Sequence, residues 1–84
     1  MAKVYFTDGS EQEVFPDNGT DFKLNELQAF VGGFIEVVYL MNRDIMVVNE
    51  EGALLNLPFN RKASEMAGIP VVGDVLVCNS EMVR

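Results

Sequence analysis

Alternating hydrophobic and polar positions near both ends of the chain predict β-strands. Residues 3–7 are rich in β-branched and aromatic types, and residues 11–15 alternate in a similar way. The turn-forming residues Asp8-Gly9-Ser10 separate these two runs, so we expect an N-terminal hairpin. Towards the other end, residues 75–78 form an apolar run that predicts a last strand.

Two short stretches have the spacing of amphipathic helices. Over residues 23–31 the apolar positions recur at helical intervals, and Gly32 follows as a residue that readily ends a helix. Residues 61–67 predict a second helix, with Asn60 as its N-cap and Gly68 as its terminating glycine. Each helix is expected to be about two turns long.

The middle of the chain predicts a β-meander. Residues 34–41 have the strongest strand pattern and are apolar on both faces except at Glu36, so we expect this strand at the centre of the sheet and covered on both sides. Residues 45–48 and then 53–55 follow after short turns as its predicted antiparallel successors. The expected fold class is α+β: a small, mostly antiparallel sheet of about five or six strands, made of the N-terminal hairpin plus the meander, with two short helices.

Length and composition predict a single domain over residues 1–84. Hydrophobic residues make up 49% of the chain, a large share for a domain of this size, which buries only about 60% of its unfolded surface. Apolar side chains are therefore left over for an interface, and a homo-oligomer is one expectation. No apolar stretch approaches about 18 residues and no signal-peptide pattern follows Met1, so we expect a cytoplasmic protein that does not bind a membrane.

The charged and reactive residues restrict the function. The chain has 13 acidic and 6 basic residues, a net charge of −7, and no histidine. This acidic balance argues against direct binding of nucleic acid, which needs a basic surface. Cys78 is the single cysteine and lies in an apolar run, which predicts a buried, inert thiol. We therefore expect a non-enzymatic protein with no catalytic residue, no metal and no cofactor.

Three of the five candidate ligand-binding residues are Asn60, Arg61 and Glu36. Asn60 and Arg61 begin a predicted helix, where backbone N–H groups and the helix dipole favour a small anion. The plainer interpretation of the same residues is an N-cap followed by exposed bases. Glu36 interrupts an apolar strand, so it pairs with an arginine, lies exposed at an edge or contacts a ligand.

Asn49 and Asp74 complete the candidate set. Asn49 opens the segment Asn-Glu-Glu-Gly at residues 49–52, which is either a solvated turn or a cation site with few ligands. Asp74 follows Gly73 and either fixes its turn by accepting backbone hydrogen bonds or contacts a ligand.

Several of these segments together resemble a family of uncharacterised small proteins, a domain of unknown function from phages, plasmids and other bacterial mobile elements. The segments are Val-Gly-Gly-Phe-Ile-Glu-Val-Val, Asn-Glu-Glu-Gly, Leu-Pro-Phe-Asn-Arg and Gly-Asp-Val-Leu-Val, and the resemblance covers residues 22–78. It implies a free-standing α+β protein in the cytoplasm of a bacterial host. It supplies no established activity, but it directs attention to the motif positions Glu36, Asn49, Glu50, Asn60, Arg61 and Asp74.

Three functions remain in competition. The first is a non-enzymatic phage or mobile-element accessory protein, a host-interaction or anti-defence module whose partner is a host protein or a small anionic ligand such as a signalling nucleotide. The second is an acidic inhibitor that mimics the charge of nucleic acid towards a basic protein. The third is a small enzyme that works with carboxylates alone.

Overall fold

A five-stranded antiparallel sheet forms the centre of the structure, a computed structural model that describes residues 2–83. Its strands are β1 (Ala2–Tyr5), β2 (Glu11–Val14), β3 (Ile35–Tyr39), β4 (Asp44–Asn49) and β5 (Val75–Asn79), in the order β2-β1-β5-β4-β3. The helices are α1 (Leu24–Val31) and α2 (Arg61–Ala67), and a 3-10 turn covers Ser80–Met82. The predicted α+β class with an N-terminal hairpin is thus confirmed.

Local side-chain chemistry forms the hairpin turn between β1 and β2. The Oδ1 atom of Asp8 accepts hydrogen bonds from the backbone N–H of Ser10 at 2.8 Å and from its hydroxyl at 2.6 Å. These bonds, the hydroxyl bond first, lower the pKa of Asp8. Gly9 takes a positive φ of 92°, which glycine adopts without a Cβ penalty. The turn predicted from Asp-Gly-Ser is therefore present.

The carboxylate of Glu26 stabilises the start of α1, and Gly32 ends the helix. The N-cap position is Lys23, and the carboxylate of Glu26 accepts its backbone N–H at 2.9 Å. The same carboxylate accepts the N–H of Asp17 at 3.0 Å, so it ties the preceding loop to the helix. Hydrogen bonding to the Lys23 and Asp17 backbone lowers the pKa of Glu26. Gly32 ends α1 in the left-handed conformation, as predicted.

Two apolar clusters lie on opposite faces of the sheet. On the first, which we call the α1 face, Leu27 of the helix packs with Val47 and Leu76 of the central strands. On the second, the α2 face, Ala63 of the helix packs with Met46 and other strand residues. Successive residues of β4 and β5 alternate between these two faces. Both faces of the two strands are therefore covered, which accounts for the burial of most of their residues.

The expectation that residues 34–41 form the central strand is wrong, because β3 lies at an edge of the sheet. The interior position next to β4 is taken by β5, which reaches it from the far end of the chain. Residues 75–78 of β5 carry no charge, whereas Glu36 in β3 would have to leave water in an interior position. At the edge, Glu36 remains exposed.

The predicted strand at residues 53–55 is also wrong. Residues 50–56 form consecutive turns in which the N–H of Leu55 bonds the carbonyl of Glu51 at 2.9 Å. Leu54 is 84% exposed, so this segment contributes no buried face that would hold it in a sheet. The meander from β3 through β4 continues in β5 instead.

Gly73, just before β5, requires glycine for two reasons. Its φ is +81°, and a Cβ added to it would lie 2.8 Å from the Cδ1 atom of Leu57. Gly19 offers a matched control, because its φ is also +81° and nothing lies within 4 Å of an added Cβ. We expect Gly19→Ala to lower the free energy of unfolding by about 1 kcal/mol through backbone strain alone. Gly73→Ala should cost about 2 kcal/mol, since Leu57 must also move.

The two free energies are measured by urea unfolding of both variants and the wild type. Equal losses for the two substitutions would contradict the contribution of the contact with Leu57.

Candidate functional site

Asn60 joins three segments of the chain at the start of α2. Its side chain is buried, and the Oδ1 atom accepts the N–H of Ala63 at 3.1 Å as a helix N-cap. The Nδ2 atom donates to the carbonyls of Tyr5 and Gly73, both at 2.9 Å. These bonds use both polar atoms of Asn60 to fix the helix against β1 and the start of β5. Its N-cap role was predicted, and its further role is structural.

The two bases after Asn60 turn towards carboxylates. Arg61 is largely exposed, and its Nε atom lies 3.7 Å from a carboxylate oxygen of Glu65. The ammonium of Lys62 bonds the carboxylate of Glu11, and this contact raises the pKa of Lys62. The same bond, together with one from Lys3, lowers the pKa of Glu11. Because each base already faces an acid, the start of α2 does not gather free positive charge for an anion.

Asn49 holds the end of β4 against the end of α1. It is 6% exposed, and its Nδ2 atom donates to the carbonyl of Val31 at 3.0 Å. Its Oδ1 atom accepts the N–H of Glu51 at 2.8 Å. The Asn-Glu-Glu-Gly segment is therefore a turn organised by its own asparagine.

Asp74 ties the N-terminal hairpin to the start of β5. Its Oδ1 atom accepts the backbone N–H of Thr7 at 3.0 Å, in a partly buried position. The two residues are 67 positions apart in sequence. This contact has the backbone-fixing character predicted for an aspartate after a glycine, but it acts on a distant segment.

A shallow pocket brings two of the five candidates together on the α2 face. Glu36 and Asn49 line it with Val38, Val48, Glu50 and residues of the 69–72 loop, and its volume is about 230 Å³. The carboxylates of Glu36 and Glu50 make the polar part of this pocket negative. Such a pocket attracts cationic or amine groups more readily than phosphate groups.

A second depression begins where this pocket ends. It is a groove of about 500 Å³ that contains Arg61, Phe59 and Glu65, and Ile69 and Pro70 line both the groove and the pocket. The pocket and the groove are therefore one continuous region, which we call the α2 surface. Glu36, Asn49 and Arg61 border it. Asn60 and Asp74 hold the fold together elsewhere.

Sequence patterns missed the apolar part of the α2 surface. Phe59 is 57% exposed and Ile69 is 51% exposed. Each is next to a proline in sequence, in Pro58-Phe59 and in Ile69-Pro70. Proline lacks a backbone N–H and disrupts helices and sheet ladders, and this was the available signal that these side chains lie in loops rather than in the core.

The thiol of Cys78 and the possible metal ligands among residues 2–83 are relevant to the reactivity of the chain. Cys78 is buried, and burial raises the pKa of its thiol to about 11, so it is protonated at neutral pH. No group of three or more His, Cys, Asp or Glu side chains within these residues is placed to hold a metal ion. None of the helices described is long and apolar enough to cross a membrane.

These features define a small α+β domain that carries a continuous, shallow and partly apolar surface region. Residues 3–82 match the family described as "Domain of unknown function (DUF3846)", and the chain belongs to that family. The match includes the hairpin of β1 and β2 as well as the later segments. No curated protein and no solved structure matches the chain.

Proposed function

We propose that this protein is a non-enzymatic accessory protein of a phage or another mobile element, and that it binds a host protein through the α2 surface. The observation that supports this most directly is the exposure of Phe59 and Ile69 beside a pocket and a groove that adjoin each other. Large apolar side chains grouped at an exposed site, with polar groups around them, are typical of protein interfaces.

The charges around the α2 surface indicate the chemistry of the partner. Glu36 and Glu50 line the pocket, and Glu65 lines the groove. Arg61 is the only base among the residues that line either depression. We therefore expect a partner with an apolar centre and a basic rim, and the net charge of −7 should speed their association at low salt.

The geometry favours this partner over a small anionic ligand. Arg61 and Lys62 both face carboxylates, and the pocket itself is lined by two more. A nucleotide would have to displace or oppose these charges. Sequestration would still appear as stabilisation, since a nucleotide at 100 times its dissociation constant adds about 2.7 kcal/mol to the free energy of unfolding.

The two other functions have less support from the arrangement of the acids. Glu11 and Glu13 lie on β2, whereas Glu36 lies on β3 at the opposite edge of the sheet. Mimicry of nucleic acid needs acids concentrated along one surface. A carboxylate enzyme needs two acids within reach of one substrate; Asp74 lines a different pocket from Glu36, and of the candidate acids Glu50 shares the pocket of Glu36.

The host-protein proposal predicts that Ile69→Asp weakens binding at least about tenfold, which is about 1.4 kcal/mol. The matched control is Leu24→Asp, because Leu24 is a similar aliphatic residue on α1 and is 58% exposed. Tagged wild type and both variants are cross-linked in bacterial host cells, and each protein they retain is identified. The retained protein is then purified, and its dissociation constant for each variant is measured by titration.

The expected result is one host protein that binds the wild type and Leu24→Asp alike and binds Ile69→Asp weakly. Equal affinity for all three would contradict the α2 surface as the binding site. Thermal unfolding with a panel of nucleotides is run in parallel, and clear stabilisation by one of them would replace the host protein with a ligand.

A further inference from the structure

The outer edge of β3 has the composition of an interior strand. β3 ends the sheet order, and Glu36 is the only charged residue among its five. Large apolar side chains are exposed in or beside it: Phe34 is 62%, Tyr39 82% and Met41 101% exposed. Natural sheets usually protect their edges with charges, prolines or a covering segment. β3 has one charge to serve that purpose.

Backbone hydrogen-bonding groups on this edge point away from the sheet. The even-numbered residues around β3 face β4, because the carbonyl of Phe34 accepts the N–H of Glu50 at 2.8 Å and the N–H of Leu40 bonds Asp44 at 2.9 Å. In an antiparallel ladder the residues between them present their N–H and C=O groups to the other side. Those residues are Ile35, Val37 and Tyr39. None of the backbone hydrogen bonds that residues 2–83 form outside helices and sheet ladders involves these three residues.

We propose that β3 pairs antiparallel with β3 of a second copy of this chain, with Val37 on the two-fold axis. Several registers would align the outward N–H and C=O groups of the two strands. The register centred on Val37 is the one in which all five residues of β3 have a partner. The outward groups of the two strands then form about six hydrogen bonds. The five-stranded sheets of the two protomers become one continuous sheet.

The side chains of β3 complement themselves in this register. On the α1 face, Tyr39 of one protomer lies opposite Ile35 of its partner, and the two Val37 side chains lie side by side. Aromatic and β-branched residues in such cross-strand positions stabilise a sheet. On the α2 face, Glu36 lies beside Val38 of its partner, so the two carboxylates are not directly opposite. All of these pairs follow from the strand sequence and the two-fold symmetry.

The other edge of the sheet has the opposite character. In β2 the outward backbone groups belong to Glu11 and Glu13, because the ladder bond from Phe6 to Ser10 places the even-numbered residues towards β1. Pairing β2 with itself about Gln12 would put Glu11 directly opposite Glu13 of the partner. Like charges in that position are destabilising. Self-association through β3 therefore closes at a dimer and does not continue into a fibre.

The dimer accounts for the conflict between the sequence pattern and the position of β3. A strand that is apolar on both faces predicts an interior position, and pairing with a second copy gives β3 a neighbour on each side. Because the two-fold axis runs perpendicular to the sheet, both α2 surfaces lie on the same side of the dimer. A partner with two matching sites would then bind with avidity.

The first test compares Tyr39→Lys with Phe15→Lys. Both residues are exposed aromatics beside sheet edges, since Tyr39 is 82% exposed in β3 and Phe15 is 73% exposed after β2. Their molecular masses are measured by sedimentation equilibrium between about 1 μM and 1 mM protein. We expect a dimer for the wild type and Phe15→Lys, and at least a tenfold higher dissociation constant for Tyr39→Lys. A monomeric wild type, or equal effects of the two variants, would overturn the proposal.

The second test determines the register by disulfide formation. Paired Val37 residues would have Cα atoms about 5.5 Å apart, within the roughly 4.4–6.8 Å that a disulfide allows. Val37→Cys should therefore cross-link to itself under mild oxidation. Glu36→Cys should not, because the partner's equivalent residue lies diagonally across the ladder. Cross-linking of Glu36→Cys in preference to Val37→Cys would overturn the register, and with it the self-complementarity on which the dimer rests.

Discussion

Replacing Asn60 with alanine is expected to lower the free energy of unfolding by about 3–4 kcal/mol. The substitution removes the N-cap bond to Ala63, which contributes about 1 kcal/mol in a typical helix. It also removes two donated bonds and leaves the carbonyls of Tyr5 and Gly73 without that donor, at about 1 kcal/mol or more each. For a domain of this size, the loss is a large part of the total stability.

Two further variants separate the contributions of Asn60. Asn79→Ala removes a similar cap at an exposed 3-10 turn, where the side chain accepts only the N–H of Glu81. We expect it to cost about 1 kcal/mol or less. Asn60→Asp keeps an oxygen for Ala63 but replaces the donor by a second acceptor, so it should be at least as destabilising as Asn60→Ala.

Urea unfolding of these three variants shows whether Asn60 stabilises the protein only as a helix cap or also through its bonds to Tyr5 and Gly73. If Asn60→Asp were close to wild type, capping alone would account for the contribution of Asn60 to stability, and the bonds to Tyr5 and Gly73 would contribute little. If Asn60→Ala cost no more free energy of unfolding than Asn79→Ala, the bonds from Asn60 to Tyr5 and Gly73 would be energetically unimportant.

Local chemistry explains which parts of the fold could be predicted from the sequence. Gly32 and Gly68 end their helices in the left-handed conformation, and Asp8 with Gly9 forms the first turn. Each of these features depends on residues close together in the chain. The position of β3 depends on β5, about 40 positions later, which pairs with the interior side of β4 and leaves β3 on the edge side. Hydrophobic pattern alone does not rank two apolar strands for one interior position.

In the candidate site, too, the contacts between neighbouring residues could be predicted from the sequence and the contacts between distant residues could not. Asn60 was predicted as an N-cap because it directly precedes the helical segment 61–67, and its bond to Ala63 is local, but its bond to Tyr5 joins residues 55 positions apart. Asp74 was predicted to bond backbone groups, and its partner Thr7 is 67 positions away. Glu36 carried a signal that was open to more than one interpretation, since a single charge in an apolar strand also marks an edge. Long-range partners are fixed by topology, which the polar pattern does not encode.

Asn49→Asp is expected to destabilise the protein by about 3 kcal/mol at pH 7, with a loss that depends on pH. One oxygen of the introduced carboxylate can still accept the N–H of Glu51. The other replaces the Nδ2 atom 3.0 Å from the carbonyl of Val31, so two acceptors face each other in a buried position. Val31 is also the last residue of α1, where a negative charge opposes the helix dipole.

The sign of the pH dependence follows from the protonation of that carboxyl group. Burial and the opposing carbonyl raise its pKa in the folded state above the ordinary value of about 3.9. The folded variant therefore binds a proton more tightly than the unfolded chain does, and acid stabilises it relative to wild type. Once protonated, the group can donate to the carbonyl of Val31. The loss should be full above the raised pKa and should shrink as the pH falls towards 3.9.

The measurement is the difference in free energy of unfolding between the variant and wild type at several pH values from about 7 down to about 5. Taking the difference cancels the titration of the other acids. Asn42→Asp makes the same change of charge at an exposed position in the turn between β3 and β4, and it should give a small difference that does not vary with pH. A loss for Asn49→Asp that is flat with pH, or no larger than that of Asn42→Asp, would show that the bond to Val31 does not hold α1 against β4.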